Sequence, residues 1–414
     1  MFTVEQLGAK AKKASQILAC ASTKEKDKAL SAIADALIEN TDAIIEKNKI
    51  DLENGKKNGL SSALLDRLLL DKGRIEGIAQ AVREIVSLPD PVGKVIGGGT
   101  RPNGLQIVKK TVPLGVIAII YEARPNVTAD AATLCFKAGN AVVLRGGKEA
   151  INSNKIISDI MRQAVEKSGL PADCICFVED TTRESSTELM QLTDYIDVLI
   201  PRGGAGLIKA VVNNSKVPVI ETGAGTCHTF VDEYADIDMA TEIVFNAKTS
   251  RPSVCNACEC LLVHKSIAEK ALPKIKEKLD TKNVEMRGDE KTCEILKNIS
   301  KATDEDWGKE YGDYIIAVKV VNSIDEAIEH INKYGTGHSE CIVSNNYENV
   351  NKFQLQVDAA AVYANASTRF TDGGEFGFAA EIGISTQKLH ARGPLGLPEL
   401  TSTKYIINGN GQIR

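Results

Sequence analysis

The feature that most narrows the fold of this chain is a rhythm that starts at residue 112. Short, continuously apolar segments alternate there with helical ones. Residues 112–120, 141–144, 174–178, 195–200 and 217–221 read as strands. Residues 126–137, 150–167, 184–192 and 207–212 read as the helices between them. A strand that is apolar on every residue must be covered on both faces, which is the condition of a parallel sheet flanked by helices. The rhythm recurs, with strands expected over 228–231, 260–263, 315–321, 341–343 and 360–363. Helices are expected over 237–247, 267–279, 324–332 and 347–355. The polar stretch 280–310 gives no clear assignment.

The first 88 residues have a different grammar. Leu30, Ile33, Ala34, Leu37 and Ile38 fall on one helical face. Further helices fit 42–52 and 73–86, with Asn54-Gly55 as a break, and Pro89 and Pro91 end the helical region. Residues 91–111 contain Gly97-Gly98-Gly99 and the alternating Leu105-Gln106-Ile107-Val108, which fits a hairpin or an extended arm. Residues 404–407 fit one more strand. With 414 residues, 43% hydrophobic, the chain can form two or three domains with buried cores.

Fifty basic and fifty-five acidic residues give a net charge of −5, which argues against a general nucleic-acid binder. No apolar run reaches the roughly 18 residues that span a bilayer. The N-terminal residues MFTVEQLGAKAKK lack the apolar core of a secretory signal. Ten cysteines without such a signal fit reduced thiols in a cytoplasmic protein.

Three of those cysteines lie close together. Cys255 and Cys258 have the spacing of a zinc-ligand pair, but no second pair or nearby HxxxH follows, so no metal site is expected. Cys258 and Cys260 open an apolar strand, where inert buried cysteine is common. Cys255 follows Arg251-Pro252 in a loop and is compatible with either a nucleophile or a buried thiol. Gly146-Gly147, Gly203-Gly204-Ala205-Gly206 and Gly223-Ala224-Gly225 each follow an apolar strand. Loops at such positions bind ligands in open α/β sheets, though none matches GxGxxG, and tight turns explain them equally well. Arg145, Lys148 and Arg202 beside them are compatible with a phosphate pocket or with solvated surface charge. Glu221 at a strand end is a general base or an exposed acid. His338 sits in a loop role.

Two stretches then carry a resemblance. Val112-Pro113-Leu114-Gly115-Val116-Ile117-Ala118-Ile119-Ile120-Tyr121-Glu122-Ala123-Arg124-Pro125-Asn126-Val127-Thr128 is one, continued by Lys137-Ala138-Gly139-Asn140-Ala141-Val142-Val143-Leu144-Arg145-Gly146-Gly147. The other runs from Val321 through Ala327-Ile328-Glu329-His330-Ile331 to Tyr334-Gly335-Thr336-Gly337-His338-Ser339-Glu340. Together with Arg251-Pro252-Ser253-Val254-Cys255-Asn256, they resemble the gamma-glutamyl phosphate reductase family of the aldehyde dehydrogenase superfamily, nearly end to end.

The resemblance implies an aldehyde-dehydrogenase-like α/β fold. A Rossmann-like cofactor-binding domain would comprise 1–90 and 112–226, and a catalytic domain 227–365. Residues 366–394 would return to the cofactor-binding domain, while 91–111 and 395–414 would form an oligomerisation element. It also implies NADPH-dependent reduction of L-glutamate 5-phosphate to the 5-semialdehyde through a thioester on Cys255, the second step of proline biosynthesis from glutamate. Asn126 and the Cys255 amide would serve the oxyanion. Glu221 aligns with the base of oxidising relatives, where water rather than phosphate is the acyl acceptor. Arg145, Lys148, Arg202, Gly203, Gly204 and Glu310 would contact the cofactor, and Arg124, His338 and Arg369 the substrate. A homo-oligomer and an association with glutamate 5-kinase are implied as partners, with no nucleic acid and no membrane. Alternatives are an oxidising or CoA-acylating aldehyde dehydrogenase, a silent binding protein on the same fold, or a zinc module.

Overall fold

The computed structural model describes residues 2–122, 124–378 and 380–414, so Ala123 of the first motif lies outside the described residues. The chain divides into two compact units. The first comprises Met1–Glu221, Gly377–Gly383 and Leu395–Arg414, and the second Thr222–Phe376 and Ile384–Pro394.

In the first unit, four parallel strands lie in the order Ile175–Phe177, Ala141–Arg145, Val116–Tyr121 and Val198–Arg202. Every residue of Val116–Tyr121 is buried, as its unbroken apolar run requires. The helix Val4–Leu18 contributes Val4, Leu7 and Ala11 to the core against this sheet, beside Ala118, Val143 and Leu199. A separate antiparallel sheet joins Val95–Thr100, Gln106–Pro113 and Thr401–Asn408, the arm and terminal strand expected from sequence.

Three local expectations change. The run 112–120 is two strands, because Gly115 turns the chain at a φ of +125° with Asp197 packed where a Cβ would stand. The segment 217–221 touches the sheet through the Leu199–Val219 bridge but forms no named strand. Pro218 has no N–H to give to a ladder, although its carbonyl accepts from Leu199 at 2.8 Å. Gly55 does not break its helix, which runs over Thr41–Lys57. A Cβ there would stand 2.9 Å from Leu60 and 3.1 Å from Leu65, so this glycine serves close packing.

In the second unit, seven parallel strands lie in the order Ser300–Lys301, Glu285–Gly288, Ile315–Val321, Cys258–His264, Cys227–Val231, Ser339–Val343 and Ala361–Ala364. Helices Ile237–Thr249 and Lys265–Asp280 share one apolar core with this sheet. Helices Ile324–Tyr334 and Tyr347–Gln356 contribute to another with Phe230, Leu262 and Trp307. The unassigned stretch holds the short strand Glu285–Gly288 and the helix Glu290–Ile295.

One buried carboxylate organises the first unit's helices. Helix Ile151–Lys167 has Ala150 at its N-cap and no capping side chain of its own. Asp51, from the distant helix Thr41–Lys57, accepts from the Ser153 amide at 2.8 Å, the Ser153 hydroxyl at 2.6 Å and the Asn152 side chain at 2.8 Å. The carboxylate thereby meets the positive end of the helix dipole. Asp51→Ala should lower stability by about 2–3 kcal/mol, the scale of lost charge-assisted hydrogen bonds. Urea unfolding would measure it, and a midpoint equal to wild type would refute the capping role.

Candidate active site

The turn that carries Cys255 lies between the helix Ile237–Thr249 and the strand Cys258–His264. Cys255 is half-buried there. The turn is fixed by individual contacts. Gly225 lays its backbone on that of Cys255, so closely that a Cβ at 225 would stand 1.4 Å from the Cys255 carbonyl oxygen. The Cys227 thiol donates to the same oxygen at 3.1 Å. Burial pushes the Cys227 thiol well above its ordinary value, and Glu340 adds to the effect. Cys227 is therefore a protonated donor, while Cys255 is the partly exposed sulfur of the two.

The residue after Cys255 is a clamp. The buried Asn256 accepts from the Arg369 guanidinium through Oδ1 and donates through Nδ2 to the Thr371 carbonyl at 2.9 Å. The Thr368 hydroxyl donates to the Asn256 carbonyl at 2.7 Å. Arg369 also donates through Nε to Ser250 Oγ at 3.0 Å. Burial lowers the Arg369 pKa and the Arg251 guanidinium lowers it further, while the Asp372 carboxylate and, more weakly, the Cys255 sulfur act in the opposite sense. Arg369 thus lies within electrostatic reach of Arg251, Asp372 and the Cys255 sulfur. Asp372 offsets part of the repulsion between the guanidiniums, and a bound anion would relieve it further.

His338 is fully buried, with Nδ1 2.8 Å from Ser339 Oγ and 3.8 Å from Cys227 Sγ. The Ser339 hydroxyl donates to Thr371 Oγ1 at 2.7 Å. His338 and Arg369 are therefore tied to the Cys255 turn through Cys227, Thr371 and Asn256. Thr336 Oγ1, from the same Gly335–Gly337 loop, accepts from the Thr226 amide at 3.0 Å. Glu310 is exposed. Its loop is anchored by Gly312, whose amide donates to Glu259 at 3.4 Å, and by the Tyr311 hydroxyl, which donates to Asp306 at 2.7 Å. Glu259 is paired in turn with the buried Lys248 at 2.7 Å.

The remaining candidates belong to the first unit. Arg124 is half-buried at the N-cap of the helix Pro125–Lys137. Asn126, in its first turn, donates through Nδ2 to Asp130 at 2.9 Å, which leaves the second amide hydrogen for another acceptor. Arg145 ends its strand and donates through Nη2 to the Thr181 and Thr182 carbonyls, each at 2.8 Å. Its Nε has no partner among the described residues. Lys148 is exposed, and Arg202 and Glu221 are half-buried. Gly203 and Gly204 lead into the helix Ala205–Asn214, and Glu122 already accepts from the Gly204 amide at 2.8 Å. That amide is one a phosphate would use.

Sequence reasoning gave no individual role to Gly225, Cys227, Asn256, Glu122 or Asp130. Gly225 carried a signal, a glycine pair after an apolar strand. The others act only through contacts that folding creates.

The chain matches the model of the aldehyde dehydrogenase family over residues 3–306 and 309–405. It is 63% identical over 407 residues to the gamma-glutamyl phosphate reductase of Clostridium perfringens, covering 98% of each chain. It is 60% identical over 414 residues to the protein of that name from Lachnospira eligens, covering all of both. Among solved structures, gamma-glutamyl phosphate reductase from Thermotoga maritima matches with a TM-score of 0.98 at 50% identity over the whole of both chains. An acetylating aldehyde dehydrogenase from Geobacillus thermoglucosidasius, 20% identical, shares the fold with a TM-score of 0.70, covering 99% of this chain and 97% of its own.

Two outcomes are expected from this geometry. Gly225→Ala should displace the Cys255 main chain and slow both turnover and alkylation of that thiol, by roughly 100-fold for turnover. Unchanged alkylation would show that the close approach is not needed. Packing pushes the Asp130 carboxyl from 3.8 up to about 6, opposed by the Asn126 hydrogen bond and the Arg202 charge. Its stabilising contribution is complete below the unfolded value and is lost as pH rises through about 6. Asp130→Asn should therefore raise the melting temperature at pH 8 and change it little at pH 4. An equal change at both pH values would contradict that origin.

Proposed function

Because the chain belongs to the aldehyde dehydrogenase family, we propose that it works as a gamma-glutamyl phosphate reductase, with Cys255 as the nucleophile. It reduces L-glutamate 5-phosphate to L-glutamate 5-semialdehyde and phosphate, the second step of proline biosynthesis from glutamate. The observation that carries the assignment of chemistry is the Cys255 turn itself: a partly exposed thiol within electrostatic reach of the Arg369 guanidinium, with its carbonyl held by the Cys227 thiol.

The Cys255 thiolate attacks the acyl phosphate carbonyl. A carbon–sulfur bond forms, the carbon–oxygen bond to phosphate breaks, and inorganic phosphate leaves. Arg369 is the candidate to take the charge of the substrate phosphate or α-carboxylate, since guanidinium pairs with either in two-point fashion. Arg124 is a second such candidate. His338 buttresses the Cys227 thiol and the Ser339–Thr371 link, so its role in this reading is to support the substrate-facing turn. The Cys255 amide is the proposed donor to the oxyanion, and Asn126 of the first unit, with one Nδ2 hydrogen beyond its bond to Asp130, is the second candidate carried by the resemblance. Sulfur is suited to both halves of the reaction, as a strong nucleophile near neutral pH and then as a leaving group.

The reduction needs a nicotinamide cofactor, which supplies the hydride when bound. The donor set in the first unit fits a phosphorylated dinucleotide. Arg145 has an unpartnered Nε, Lys148 is exposed beside it, and both follow a buried parallel strand. This pair of cations is the basis for preferring NADPH. Arg202, Gly203 and Gly204 form the second anion contact, at which Glu122 yields the Gly204 amide. Glu310, on its anchored loop, is assigned to the nicotinamide ribose. Glu221 aligns with the water-activating base of oxidising relatives, and here its proposed task is limited to the acyl-transfer steps, because hydrolysis would waste the thioester.

Among the described residues no helix is long and apolar enough to cross a membrane. A cytoplasmic homo-oligomer, assembled through 91–111 and 395–414 and associated with glutamate 5-kinase, completes the proposal. Supporting it, the strand Val95–Thr100 is exposed throughout, and Tyr405 and Ile407 of the strand Thr401–Asn408 are exposed as well.

The test is the reverse reaction. NADP reduction with pyrroline-5-carboxylate, the cyclised form of the semialdehyde, should require inorganic phosphate. It should fall at least roughly 1,000-fold in Cys255→Ala. Equal rates with water or CoA in place of phosphate would redirect the assignment to an oxidising or acylating dehydrogenase. Arg145→Ala should raise the KM for NADP more than that for NAD.

A further inference from the structure

The core of the second unit contains a row of polar side chains that the proposed reaction does not use. Strand register sets this row. His228 on Cys227–Val231 is the register partner of Cys260 on Cys258–His264, and of Glu340 on Ser339–Val343 on its other side. Register partners on adjacent strands project to the same face of a sheet. The three therefore stand side by side on one face, in a layer otherwise made of Phe230, Leu262, Ala317 and Ile342. His330, from the helix Ile324–Tyr334, comes down onto them. Cys260 Sγ is 3.8 Å from His330 Nε2.

Two polar atoms in this row have no hydrogen-bond partner among the described residues. One is His228 Nε2 and the other is Glu340 Oε1, on side chains that are 0% exposed. His228 is already oriented, because its Nδ1 lies 3.0 Å from Glu340 Oε2 and its amide donates to that same oxygen at 2.7 Å. A carboxylate on Nδ1 fixes the tautomer that leaves Nε2 as a bare lone pair. This is the arrangement by which carboxylates prepare histidines for metals. A bare nitrogen lone pair in an apolar core is costly unless something accepts it.

We propose that His228 Nε2, His330 Nε2 and Cys260 Sγ bind one divalent cation of the zinc class, with Glu340 as the carboxylate behind His228. The three ligand atoms lie within 4.8 Å of one another. Tetrahedral zinc holds such atoms roughly 3.3–3.7 Å apart, so binding requires the two rings to close by about an ångström. Imidazole and thiolate are ligands that zinc prefers over the hard cations. Charge also balances. Cys260 binds as thiolate, its proton passing to solvent, and with the Glu340 carboxylate it offsets the two positive charges. Lys319 Nζ lies 3.5 Å from His330 Nδ1 and 3.7 Å from Glu326. It faces the ring nitrogen that does not bind. On metal binding His330 carries its proton on Nδ1, and Lys319 turns to Glu326.

The test uses the full chain, treated with a chelator, desalted and titrated with Co²⁺ as a spectroscopic probe for zinc. Wild type should take up one equivalent and show a thiolate-to-cobalt charge-transfer band that Zn²⁺ abolishes. The band should persist in Cys255→Ala. It should vanish in Cys260→Ala and in His330→Gln, with affinity at least 100-fold weaker. No stoichiometric uptake, or a band that survives Cys260→Ala and disappears with Cys255→Ala, would overturn the proposal. Should the core variants fail to fold, X-ray absorption of the zinc-loaded wild type decides the matter. One sulfur and two imidazoles around the metal would support the site, and any other sulfur count would refute it.

Discussion

The chemistry of this chain depends on holding one short turn still. The residues on either side of Cys255 contribute nothing to the sheet ladder, and the helix before them ends at its C-cap Ser250, so ordinary secondary structure does not fix the turn. What fixes it is a contact that only glycine permits, Gly225 against the Cys255 carbonyl, with the Cys227 thiol on the same oxygen. The consequence is that the main chain at Cys255 is held by its neighbours while its sulfur stays partly exposed. An enzyme that forms a covalent intermediate needs both properties, since a misplaced nucleophile loses rate steeply and a buried one cannot be reached.

The same economy governs the charge near the thiol. Arg369 does not reach the turn alone. It is oriented through Asn256, the residue that follows the nucleophile, so the positive charge and the sulfur are positioned by one element. Arg251 adds a second positive charge close by. Two guanidiniums kept near each other are mutually unfavourable, a repulsion that the nearby Asp372 carboxylate offsets in part.

The strand–helix alternation was legible in the sequence because burial on both faces leaves an unmistakable run of apolar residues, as in Val116–Tyr121. Legibility failed where a local signal had two causes. Gly55 reads as a helix breaker until its close contact with Leu60 is seen. Pro218 hides within an apolar run that otherwise spells a strand. The polar stretch 280–310 conceals a short strand because Glu285–Gly288 has a mostly polar composition. At the proposed site, only family resemblance points to Cys255 and Arg369, since spacing alone leaves Cys255 ambiguous with an inert thiol. Cys227, Asp130 and Glu122 carried no signal, because their roles arise from partners far away in sequence. The polar row of Glu340, His228 and Cys260 lies on three strands, so register, which sequence does not state, had to be known before the residues could be grouped.

The segment around Pro218 has a further bearing on the life of the chain before and after folding. The outer strand Val198–Arg202 is flanked by this segment through a single bridge and a few backbone bonds, with an imino acid in the middle. Val217 already gives its amide to the Met190 carbonyl at 3.2 Å, so a stranger's strand arriving at that margin would find no continuous row of amide hydrogens to copy. The margin of the sheet is thereby occupied by an irregular segment rather than offered as a regular free strand.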